Sequence, residues 1–142
     1  MFYKLLKIQW KLYDKGCVGL RKFLNRFICL FYHCDIPYSI NFEKINLCHR
    51  GFGIVINPNA SIGEGTYIQH GVTIGAMDDK KNIEAPKIGC NCYIGAKAII
   101  IGGVFIGDNA KVGAGAVVVS DVPEGTTAVG VPAEILFPKK KK

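Results

Sequence analysis

From about residue 54 onward the aliphatic residues of the chain fall on a step of six. Ile56, Ile62, Ile68 and Ile74 form one run, and Ile88, Ile94, Ile100, Ile106, Val112 and Val118 form a second. Four positions after most of them comes a small or β-branched residue: Ala60, Thr66, Val72, Cys92, Ala98, Val104, Ala110, Ala116 and Val122. Glycine follows the aliphatic residue directly at 63, 75, 89, 95, 107 and 113. An α-helix cannot use this spacing, because six residues at about 100° each scatter the aliphatic side chains around the axis. A coil of three short flat strands can. Each strand turns one large and one small side chain inward, and the glycine-containing pair makes the corner, where positive φ is often needed. Three hexapeptides then complete one turn, so residues eighteen apart stack as rungs around a continuous apolar column. The pattern predicts an all-β protein, a parallel β-helix.

The register slips once, since Ile74 to Ile88 is fourteen residues rather than twelve. An extruded loop over residues 76–86 accounts for the slip, because its charged side chains could enter the interior only at a large desolvation cost. Loops held on a rigid scaffold commonly carry function. Upstream, residues 2–13 and 18–32 read as two amphipathic helices separated by Gly16. Leu5, Ile8 and Leu12 line one stripe, and Leu20, Leu24, Phe27, Ile28 and Phe31 the other. They are expected to cap the N-terminal end of the coil, which would otherwise expose strand edges and apolar side chains. The chain thus divides into a helical cap (1–34), the β-helix (35–138) and a basic tail (139–142).

At 142 residues the chain has the length of one domain and no room for a separate cofactor domain. Its net charge of +7 is uneven: residues 1–34 carry +6, the four terminal lysines +4, and the segment between them −3. Basic ends of this kind are ordinary solvated faces or a means of weak attraction to an anionic membrane surface. No nucleic-acid motif accompanies them. Arg21, Lys22, Asn25 and Arg26 interrupt the most apolar stretch, and no cleavage site follows it, so a cytoplasmic protein is expected, at most peripheral to the inner face of the membrane. The six cysteines follow neither zinc-ligand nor disulfide-framework spacing and read as reduced thiols. Cys90 and Cys92 suit hydrophobic filling better than metal binding.

Three histidines supply the candidates for general base. His33 follows a helix among aromatics and reads as structural. His49 precedes the regular coils, and His70 sits at a corner; they lie twenty-one residues apart, close enough to one eighteen-residue turn to meet on one side.

Asp35-Ile36-Pro37, His49-x-x-x-Gly53-Ile54-Val55, Val72-Thr73-Ile74-Gly75, Pro86-Lys87-Ile88-Gly89, Ile94-Gly95-Ala96 and the segment Thr126 to Ala133 together resemble the hexapeptide-repeat acyltransferases. Within that family the chain is similar to serine acetyltransferases and to O-acetyltransferases of surface-polysaccharide pathways, over about residues 35–135. The resemblance implies a left-handed coil, a homotrimer with active sites in the clefts between prisms, and acetyl-CoA as co-substrate with no metal. It implies His49 as general base and Asp35 as the carboxylate that holds its ring, His70 being an accessory candidate. This division suits the chemistry, since a hydroxyl of high pKa needs a neutral imidazole to take its proton as it attacks a thioester. Direct transfer in a ternary complex is implied, with a backbone N–H near Gly95 or Ala96 meeting the thioester oxygen. Gly75, Ala76, Gly95, Ala96, Gly113 and Ala114 match the positions where the family lays acetyl-CoA against the backbone, with Lys97 and Lys111 as partners for its phosphates.

The likeness fails at the acceptor. Serine acetyltransferases carry an Arg-His pair on the extruded loop to grip the amino acid, and Glu84 and Ala85 stand there in this chain. Exchange of a cation for an anion favours a sugar hydroxyl slightly over serine. A trimeric zinc-binding β-helix and a non-catalytic scaffold are the other classes open; two histidines in the coils undersupply a three-histidine zinc site.

Overall fold

A computed structural model describes residues 2–16, 18–37, 39–41, 44–79 and 82–138. The basic tail, residues 139–142, lies outside the described residues, as does Cys17. Between Asn46 and Val129 the chain visits three parallel sheets in rotation. The first face stacks Asn46–Leu47, Tyr67–Ile68, Tyr93–Ile94, Lys111–Val112 and Thr127–Val129. The second stacks Val55–Ile56, Thr73–Gly75, Ile99–Ile101 and Val117–Val118, and the third Ser61–Ile62, Lys87–Ile88 and Phe105–Ile106.

Rungs form as the period requires. Ile56 pairs with Ile74, Ile88 with Ile106 and Ile94 with Val112, each eighteen residues on. The inward aliphatics are sealed: Ile68, Ile74, Ile94, Ile100 and Ile106 are all 0% exposed. Each such side chain contributes about 1.5–3 kcal/mol relative to leaving it in water. The small positions stack beside them, and Thr66, the polar member, is satisfied by donating to the Gly89 carbonyl (2.9 Å) and accepting the Cys92 N–H (3.1 Å). Cys92 is itself a rung filler, 1% exposed.

Two corrections concern the corners. First, where the inserted segment intervenes, Ile62 pairs with Ile88 and Ile74 with Ile100, a separation of twenty-six. One hexapeptide step is therefore taken in fourteen residues, and the surplus is eight residues rather than two. It folds as an antiparallel hairpin of Met77–Asp79 with Asn82–Glu84. Second, the glycine after each aliphatic residue is not the left-handed one. The positive φ falls two residues later, at Gly65, Gly71, Asn91, Lys97, Asn109 and Gly115. Gly63, Gly89, Gly95 and Gly107 are required by proximity instead: a Cβ on Gly63 would sit 2.5 Å from the carbonyl carbon and oxygen of Gly89 one coil on.

Helices α1 (Phe2–Asp14) and α2 (Val18–Tyr32) pack on each other and on the first coil. The buried stripe differs from the expected one. Phe2, Leu6 and Gln9 are covered on α1, and Ile28 on α2, while Ile8, Leu20 and Phe31 are exposed. The register is set by the contact with the coil: the Tyr3 hydroxyl donates to the Leu47 carbonyl, and the Phe2 ring lies over Gly51. Gln9 is tied to Asn25 by a 2.7 Å side-chain bond from its amide nitrogen. No described helix is long and apolar enough to cross a membrane. At the far end, Glu134–Leu136 folds back antiparallel on Thr127–Val129.

Two outcomes test this packing. Gly63→Ala, which forces backbone apart, should cost about 1–3 kcal/mol. Gly115→Ala, left-handed (φ 68) but in open space, should cost about 1 kcal/mol; urea midpoints in the reverse order would contradict the corner contact. Burial, reinforced by Cys29 and Asp35, pushes the Cys34 thiol up to about 12. Cys34 should therefore resist alkylation at pH 8 while exposed Cys29 reacts. The folded chain keeps a proton that the unfolded chain loses near 9.0, so this thiol should lower stability as pH climbs from there towards about 12.

Candidate active site

The corner that carries His49 is longer than its counterparts. Leu47 pairs with Ile68 and Val55 with Thr73, so residues 48–54 make a turn that the next coil makes with residues 69–72. The three surplus residues are thrown outward by two consecutive left-handed residues, His49 (φ 50, ψ 36) and Arg50 (φ 56, ψ 31). In non-glycine residues this conformation costs about 1–2 kcal/mol each. The surroundings hold it. Phe52 N–H donates to the His49 carbonyl (3.3 Å), Ile54 N–H to that of Gly51 (3.0 Å), and Gly71 N–H to that of Phe52 (2.8 Å).

This outward corner sets the His49 ring edge-on to His70, with centroids 5.0 Å apart and planes at 88°. The twenty-one-residue separation is one eighteen-residue turn plus the surplus. Just before it, the Gln69 amide donates to Cys48 Sγ at 3.2 Å and ties the two layers together. His49 is exposed, whereas His70 is half-buried and its Nδ1 is covered with no hydrogen-bond partner among the described residues.

The two rings open on a cleft of about 630 Å³, whose other lining residues are Phe31, Tyr32, His33, Arg50 and Phe52. His33, read from sequence as structural, also lines this cleft. It meets Phe52 edge-on at 5.8 Å and its carbonyl accepts the Gly53 N–H at 2.9 Å. Arg50 was missed from sequence, and His33 set aside, because the irregular left-handed backbone at residues 33, 49 and 50 that gathers them around one cleft leaves no period. Although three histidines line it, no group of three or more His, Cys, Asp or Glu among the described residues is placed to hold a metal ion.

Asp35 is not joined to His49. Its backbone pairs with Val55 on the second face, with its N–H on the Ile54 carbonyl (2.8 Å) and its carbonyl accepting the Ile56 N–H (2.9 Å). That pairing fixes it on a face rather than at the histidine corner, and no hydrogen bond links the two side chains among the described residues.

The candidates for holding acetyl-CoA divide between two corners. Gly95, Ala96, Gly113 and Ala114 follow first-face strands, in line with His70, whereas Gly75 ends, and Ala76 follows, a second-face strand. Coil stacking already demands the glycines at 95 and 113: a Cβ on Gly95 would lie 2.6 Å from the Ala114 nitrogen, and one on Gly113 2.9 Å from Val129 Cγ1. Gly75 carries no such demand, its nearest neighbour being Ile101 Cγ1 at 3.8 Å. The backbone also separates Gly95 from Ala96 as a donor. Gly95 N–H is spent on the Val112 carbonyl (2.8 Å), while Ala96 N–H has no acceptor among the described residues. Lys97 donates its N–H to the His70 carbonyl (2.9 Å), and its Cγ lies 3.1 Å from where a Gly71 Cβ would stand. Lys111 points outward on the first face beside Tyr93 and Thr127. Glu84 and Ala85 line a separate cavity of about 540 Å³ with Lys87, Phe105 and Asp121, so within one chain they do not meet the histidines.

The family model for the bacterial transferase hexapeptide (six repeats) matches residues 85–120. A serine acetyltransferase of Helicobacter pylori is 42% identical over 87 residues, 61% of this chain and 51% of that protein. The crystal structure of the Neisseria gonorrhoeae serine acetyltransferase in complex with serine superposes with a TM-score of 0.83 at 36% identity, covering 96% of this chain and 55% of that one. Over residues 85–120 the chain matches the hexapeptide-repeat transferases, and over most of its length it is similar to serine acetyltransferases. A serine acetyltransferase in complex with CoA matches this hexapeptide-repeat chain with a TM-score of 0.81 at 32% identity, over 95% of this chain and 56% of that one. These neighbours imply the left-handed winding that the family resemblance led us to expect. The chain spans about half the length of the curated relatives it matches.

Proposed function

We propose that the chain is an acetyl-CoA-dependent O-acetyltransferase whose acceptor is serine. The observation that carries this reading is the exposed His49 ring, mounted on an outward corner against His70 over an open cleft. In the proposed reaction neutral His49 removes the acceptor's hydroxyl proton as the oxygen attacks the thioester carbonyl. The tetrahedral intermediate then collapses, the C–S bond breaks, and the CoA sulfur leaves as a thiol with the proton returned from His49. Ala96 N–H, which has no acceptor among the described residues, is the candidate donor to the developing oxyanion. The orienting task expected of Asp35 passes in this proposal to the edge contact with His70 and to the hydrogen-bonded corner. Acetyl-CoA would run along the corner of Ala96 and Ala114, with Gly75 and Ala76 contributed from the neighbouring prism of a homotrimer.

Serine replaces the sugar hydroxyl as preferred acceptor because the relatives and solved structures named above are serine acetyltransferases. The comparisons give no support to a polysaccharide pathway; Glu84 and Ala85 stand as a departure from the serine acetyltransferase pattern, lining a cavity apart from the histidines of the same chain. The division at residues 34 and 138, a cytoplasmic location and weak contact with a membrane surface remain parts of the proposal. Support for the last is the exposure of Leu20, Phe23, Leu30 and Phe31 on a helix that also carries Lys22 and Arg26.

His49→Ala should lower CoA release by at least about a thousandfold, within the range for loss of a general base, with the oligomer and its melting temperature unchanged; near-normal turnover would remove His49 from the chemistry. In a CoA-release assay over serine, simple sugars and nucleotide sugars, serine should give the highest kcat/KM, and a sugar ahead of it would overturn the acceptor assignment.

A further inference from the structure

Among the described residues that line the histidine cleft, Arg50 is the one fixed cation and there is no carboxylate. Arg50 is exposed and makes no ion pair or hydrogen bond with any described residue. It sits next to His49 on the same outward corner, in a left-handed backbone that a side chain adopts only against steric cost. An unpaired guanidinium could have been placed at no such cost anywhere on the surface. Held here, it is a planar fork whose donors match the two oxygens of a carboxylate or phosphate.

We propose that Arg50 docks an anionic group of the molecule that reacts at His49. The shared chemistry is an oxyanion, carried either by the acceptor, as the carboxylate of a hydroxy amino acid, or by the nucleotide end of CoA. The acceptor is the better match, because adjacent residues on one rigid corner would then hold both the reacting hydroxyl and the charge beside it. The inference rests on the acetyltransferase reading for the identity of these ligands, but not for the presence of an anion site.

Calorimetry on the full chain tests it, with inorganic phosphate, L-serine, L-serine methyl ester, CoA and dephospho-CoA titrated into wild type, Arg50→Gln and Arg50→Lys. Arg50→Gln should weaken at least one anionic ligand about 10- to 100-fold, as expected for a charge-assisted pair, with Arg50→Lys intermediate and all three melting alike. Loss confined to serine, with the methyl ester indifferent to the substitution, puts the anion on the acceptor. Loss confined to CoA, with dephospho-CoA indifferent, puts it on the nucleotide. Equal affinities in wild type and Arg50→Gln, or a wild type that binds none of the anions, would refute the assignment. Failure of the acetyltransferase reading would show separately, as absence of thiol release with every acceptor, and the phosphate titration would still decide the role of Arg50.

Discussion

Everything in this molecule depends on one coil lying close enough to the next for the backbones to touch at the corners. Where Gly63 faces Gly89, or Gly95 faces Ala114, there is no space for even one more carbon. That closeness brings the N–H of one layer onto the carbonyl of the next and presses the isoleucine rungs together. The two requirements reinforce each other. A larger corner residue would lengthen the ladder bonds and open voids between rungs at the same time.

The period of six made the coil legible because every hexapeptide repeats the same demand for a large residue, a small residue and a tight corner. Features that occur once have no such redundancy. The eight-residue hairpin was located by its register slip but miscounted, since a slip of two and an insertion of eight leave the same aliphatic positions. The helices were found, but their buried side was displaced. Phe2 and Tyr3 are held by the coil, and a helix's own periodicity cannot know which of its flanks will be covered. At the site, the approach of His49 and His70 could be anticipated from their separation. The left-handed pair His49 and Arg50 could not, because neither residue type announces positive φ.

The site is thus a departure from the regular coil rather than a product of it. A corner that needs only residues 69–72 in the next layer is stretched to 48–54 in the first, and the surplus carries the exposed imidazole and the guanidinium. The regular layers below supply what such a bend lacks, a rigid base. His70 is anchored through its carbonyl by Lys97, and Gly71 through its N–H by Phe52. Left-handed non-glycine residues occur singly at regular corners, at Asn91, Lys97 and Asn109, but here two fall in succession, with the Phe2 ring packed over Gly51 beside them.

A parallel coil is open-ended in principle, for its last layer offers the same bonding groups as every layer before it. Here Glu134–Leu136 runs back against Thr127–Val129 in the opposite direction. On that face the repeating pattern of donors and acceptors is reversed, and another chain's coil arriving in register would find its amides opposed by the wrong partners. The turned-back strand therefore opposes a parallel continuation of the coil on this face.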